Sequence, residues 1–137
     1  MSLSKDQLDK TIEQLENVSY GVDPYGSTLT KAVYALRKTK LKEFNIENLR
    51  VMIGQSEGLK YLIPMALEKL HKNVHAEGDL YPGDLLSSVL SVPDTHWQEN
   101  PDQFEDMKKL IAAKRSELEN SRNFSQKKLM RSLEKFL

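Results

Sequence analysis

GLKYLIPMALEKL, residues 58–70, decides the fold. Only Lys60, Glu68 and Lys69 are charged in it, and its apolar residues fall on nearly every side of a 3.6-residue period. A helix that is apolar all round is the buried centre of its domain. Pro64 lies inside the run. It either opens the main helix at about its first turn or kinks it, because it removes one backbone donor.

Working outward, the flanking segments also carry helical spacing. Upstream, Ile46, Leu49, Met52 and Ile53 form a stripe, with Asn45 as the N-cap and Glu47 in the first turn. Gly54 and Gly58 bracket the break before the central run. Leu29, Ala32, Val33 and Leu36 make a short helix with a basic exit at Arg37, Lys38, Lys40 and Lys42. YGVDPYGST, residues 20–28, is a loop. Ser4 with Gln7 reads as a capping box, followed by Leu8, Ile12 and Leu15 on one helical face.

Downstream, Leu85, Leu86, Val89 and Leu90 mark a short helix opened by Asp84, and Pro93 starts a turn of helix through Trp97. Asn100-Pro101 reads as an N-cap followed by proline at the first helical position. The helix it opens runs towards Asn120, with Phe104, Met107, Ile111 and Leu118 inward. Ser125 caps a last helix bearing Leu129, Leu133 and Phe136. No segment alternates as a strand and no repeat is found. The expectation is an all-α, compact single-domain bundle of about six to eight short helices spanning residues 1–137.

The chain has 137 residues and no cysteine, which excludes disulfides and thiolate metal sites and fits a reducing compartment. Charges at Lys5, Asp6, Asp9 and Lys10 stand where a signal peptide needs an apolar run. No stretch approaches the ~20 apolar residues of a membrane span. A soluble, cytoplasmic protein with no membrane partner is expected.

The net charge is zero but unevenly spread. Residues 73–107 contain no Lys or Arg and carry Glu77, Asp79, Asp84, Asp94, Glu99, Asp102, Glu105 and Asp106, a net −8. Residues 28–50 carry +4 and residues 108–137 carry +6. Such asymmetry bears on partners and encounter rates rather than on fold.

Several patterns invite a chemical interpretation, and each has a plainer one. GQSEG, residues 54–58, matches the nucleophile-elbow pattern around Ser56, but that chemistry needs a strand before it and a distant Asp/His pair. A helix–helix corner accounts for it better. His71 and His75 have the i, i+4 spacing of a metal pair, with Glu77, Asp79 or His96 as a third ligand, but the helix ends near Asn73 and Gly78. Asp79 and Asp84 fit an acid–base pair only if one is buried in a pocket. For Asp84 a structural role at a helix start is expected, where an acid is stabilised. The basic clusters at residues 37–42 and 108–131 lack the interleaved aromatics of a nucleic-acid reader. No catalytic residue, metal, cofactor or small-molecule substrate is expected.

One further pattern is collective. Leu49-Arg50, Ile53-Gly54-Gln55, Gly58-Leu59, Tyr61-Leu62-Ile63-Pro64, Ala66-Leu67 and Tyr81-Pro82-Gly83-Asp84-Leu85-Leu86 before Trp97 occur in one order and spacing. Together they resemble the immunity proteins of bacterial contact-dependent growth inhibition (CDI) systems. The resemblance covers about residues 29–100; the first helix and the C-terminal helices, residues 101–137, lie outside it. It implies a small cytoplasmic protein without enzyme activity. Such a protein binds the cognate toxin's C-terminal domain, expected to be a basic nuclease such as an RNase, and covers its active site. The expected contacts are Glu77, Asp79, Asp94, Glu99 and Asp102, with Tyr81 and Trp97 as aromatic anchors. The plainer alternatives are a solvated face for the acids and a core position for Trp97. No direct nucleic-acid binding is expected. The rival function is a helical nucleic-acid-binding regulator using the basic C-terminal helices.

Overall fold

The computed structural model describes residues 3–19, 21, 26–120 and 131–137. Eight α-helices are complete among the described residues: α1 Lys5–Leu8, α2 Ile12–Glu16, α3 Thr28–Arg37, α4 Ile46–Gly54, α5 Leu59–Lys72, α6 Asp84–Leu90, α7 Asp94–Glu99 and α8 Pro101–Glu119. Short 3-10 turns occupy Leu41–Glu43 and Glu134–Phe136. Among the described residues there is no strand, only a single antiparallel bridge between Glu77 and Pro82. The fold is all-α, as the periodicity predicts. Ser125 and Leu129 lie outside the described residues, while Leu133 and Phe136 are buried.

Helix α5 is the centre. It buries Leu62, Ile63, Pro64, Ala66, Leu67 and Leu70. Helix α4 packs against both α5 and α6, and α8 covers another side of α5. Leu49, Met52, Leu85, Leu86, Met107 and Leu110 are wholly buried where these helices meet. Burial of side chains of this size contributes about 1.5–3 kcal/mol each before entropy is counted.

Pro64 lies well inside α5, past its first turn. It has no N–H for the carbonyl of Lys60 one turn earlier. The buried side chain of Gln103, on α8, supplies the missing donor: its Nε2 donates to Lys60 O at 2.9 Å. Gln103 Oε1 must then accept, so the contact with His96 Nε2 at 2.7 Å assigns that ring nitrogen as the donor. Asn100 Nδ2 donates to His96 O at 2.9 Å and approaches His96 Nδ1 at 3.3 Å. Asn100 stands at the N-cap of α8 as expected, yet its side chain makes no cap bond there; its Nδ2 is turned to His96 instead.

The N-terminal segment departs from the single apolar face that the spacing suggests. The capping box of Ser4 and Gln7 is present, but a second box, Thr11 with Gln14, restarts the chain as α2. The Thr11 hydroxyl accepts from Gln14 N at 3.2 Å, and Gln14 Oε1 accepts from Thr11 N at 2.9 Å. That reciprocal bonding favours a new helix start over continuation. Ile12, wholly buried, then packs on the α4–α5 corner. Gly58 there has φ 61°, and a Cβ on it would lie 2.7 Å from Ile12 Cδ1. Arg37, 2% exposed, braces the same region by pairing with Glu16 and, at 2.6 Å, with Glu57.

Candidate interaction surface

The segment joining α5 to α6 is short, ordered and unusual in what it exposes. Its entry is fixed by His75 N donating to Asn73 Oδ1, and its exit by Gly83 N donating to His75 O. Between them, successive backbone amides point at carboxylates. Asp84 Oδ1 accepts from Gly78 N at 2.7 Å, and its Oδ2 accepts from Leu80 N at 3.0 Å and Tyr81 N at 3.4 Å. Glu47 Oε1, on α4, accepts from Asp79 N at 2.9 Å. Two side chains thus hold the amides of residues 78–81.

Arg50, one turn along α4 from Glu47, completes the clip. Its Nε and Nη2 each donate to Glu47 at 2.6 Å, a bidentate pair, and Nε lies 3.7 Å from Asp84 Oδ2. Arg50 and the Asp79 amide pull the Glu47 carboxyl down to about 2. The same pairing pushes the Arg50 guanidinium up. Asp84 is 1% exposed, and its bonds go to the loop rather than to the first turn of α6. Asp84 is the first residue of α6, and its carboxylate shapes the segment that precedes the helix. Gly78 is required by the closeness of the clip: a Cβ there would sit 2.5 Å from Glu47 Oε1 and 3.1 Å from Asp84 Oδ2.

The residues singled out from sequence separate into groups. Glu77, Asp79 and Tyr81 lie exposed on the clipped loop. Leu80 stands between them at 63% exposure, with Tyr81 at 40%. Glu99 and Asp102 are exposed at the α7–α8 corner. There they line a cleft of about 300 Å³ with Lys60, Pro64 and Gln7. Asp94 is exposed but paired with Lys135 at 2.9 Å. Trp97 occupies the core position: 4% exposed, it stacks edge-on against Phe136 at 5.4 Å and Phe104 at 6.2 Å. A ring so buried is no surface anchor unless the core repacks. Sequence reasoning does not single out Leu80, and it names Glu47, Arg50 and Gly78 without linking them to this loop. The signal for Leu80 is an apolar pair on a Gly/Pro-bounded loop flanked by acids.

A family model, that of the CDI immunity proteins, matches residues 13–107. The chain belongs to the CDI immunity proteins. No curated protein and no solved structure matches it. The match reaches beyond residues 29–100 on both sides, taking in most of α2 and the first turns of α8. All of the clipped loop, both residues of α4 that hold it, and the α7–α8 corner fall inside the matched region.

The other motifs of this CDI immunity protein resolve into local structure. GQSEG is the α4–α5 corner; Ser56 has φ 57°, and helix α4 stands where a nucleophile elbow requires a strand. His71 is exposed and His75 half-buried beyond the end of α5. Among the described residues no group of three or more His, Asp or Glu side chains is placed to hold a metal ion. On α8, Lys108, Lys114 and Arg115 pair along the helix with Glu105, Glu117 and Glu119. No helix among the described residues is long and apolar enough to cross a membrane.

Proposed function

We propose that this CDI immunity protein binds the C-terminal domain of its cognate toxin one to one. The toxin is a nuclease, and binding neutralises it by covering the active site. The observation that carries the proposal is the combination of family membership with the run of residues 73–107, which holds no Lys or Arg. Four of its carboxylates, Glu77, Asp79, Glu99 and Asp102, are exposed and make no ion pair among the described residues. A nuclease cleft offers Lys and Arg to phosphates, and protein carboxylates can take the same partners. Complementary fields of this kind accelerate association and select the partner. Asp94 contributes less, since Lys135 offsets it, and Trp97 contributes through the core.

The test is charge reversal at two separate places. The Asp79→Lys/Glu99→Lys variant should associate with the toxin domain about tenfold more slowly at low salt, and the gap should narrow as salt rises. Stopped-flow association at several ionic strengths measures this. An unchanged on-rate would remove the acidic surface from the mechanism.

A further inference from the structure

Resting on toxin binding as just proposed, we infer that Leu80 and Tyr81 form the apolar anchor of that interface. They seat in an apolar depression on the toxin domain that is rimmed by Lys and Arg. Among the described residues, the other large hydrophobics left exposed, Val18, Leu29 and Leu137, lie far apart in the chain, whereas Leu80 and Tyr81 are adjacent.

Their exposure is built in and not a result of slack. The amides of Leu80 and Tyr81 are both held by Asp84, and those of Gly78 and Asp79 by Asp84 and Glu47. A carboxylate that is 1% exposed is costly to bury, and here its acceptors fix the shape of a loop that shows a leucine to water. An anchor fixed before binding loses little conformational entropy when it docks. Leu80 and Tyr81 also border a depression of about 170 Å³ floored by Gly54, Ser87, Ser88 and Ser91, room for one side chain of the partner.

Charge specifies the rim. Glu77 and Asp79 flank the pair and are exposed, while Arg50, which borders the same depression, is already held by Glu47 and Asp84 and also feels the charge of Asp79. The surface around the apolar pair is therefore net acidic, and its complement is cationic. This is the arrangement of an interface hot spot: a central anchor with a charged rim.

The experiment uses the full chain and the C-terminal domain of its cognate toxin. Leu80→Ser/Tyr81→Ser should weaken the complex by at least about 30-fold, mainly through faster dissociation, with an unchanged salt slope. Both positions are exposed, and the thermal midpoint of the variant should match the parent. If the parent chain does not bind the toxin domain, the toxin-binding proposal falls and the anchor with it. If the parent binds and the double variant stays within threefold of it, the anchor alone is overturned.

Discussion

Glu47 sits between a guanidinium and a loop amide, and both favour its charged form. Its folded value, about 2, lies below the ordinary 4.5. A depressed carboxylate stabilises the fold above the unfolded value, and that contribution is lost as pH falls through the folded one. Glu47→Gln should therefore be less stable than the parent at pH 7, by at most about 3 kcal/mol. The difference should close between pH 4.5 and about 2, as urea melts at stepped pH would show. A difference that stays constant over that range would mean Glu47 acts by shape alone. Sequence places Glu47 correctly in the first turn of α4. Nothing in the local pattern tells that its carboxylate reaches the amide of Asp79, 32 residues on. Helical spacing reports which face is buried, not which distant amide a side chain meets.

Helices α4, α5, α6 and α8 are legible because their apolar spacing is set by burial against one another. Two features at this scale are not. The break between α1 and α2 depends on a hydroxyl–amide exchange at Thr11 and Gln14, which apolar periodicity does not register. The accommodation of Pro64 depends on Gln103, a polar residue on α8, the neighbouring helix. Gln103→Leu should cost about 1–3 kcal/mol, since it leaves the Lys60 carbonyl and His96 Nε2–H without a partner. In a Pro64→Ala background the restored backbone N–H satisfies Lys60 O, and the cost of Gln103→Leu should shrink without vanishing. Denaturant melts of the four proteins of this cycle give the coupling directly. Strict additivity would contradict the substitution of a side-chain donor for the missing backbone one.

Across the molecule, the acidic segment supplies core residues from α6 and α7, and residues 131–137 pack back on α7 and α8. Phe136 packs on Trp97 inside the fold, while Lys135 pairs with Asp94 at the surface, so one of the basic charges of residues 108–137 is offset there. Along α8 the cations at Lys108, Lys114 and Arg115 are paired with neighbouring glutamates, which weakens the case for a nucleic-acid-binding stripe there. The acidic run itself is plain in the sequence. Its division between a clipped loop and the α7–α8 corner is not, because it follows from tertiary packing. The central claim, the proposed one-to-one neutralisation of a toxin domain, is tested most directly by titrating that domain, assayed for the proposed nuclease activity, with the full chain. Activity should fall in proportion to added protein and reach zero at one equivalent. Activity that persists at several equivalents would contradict it.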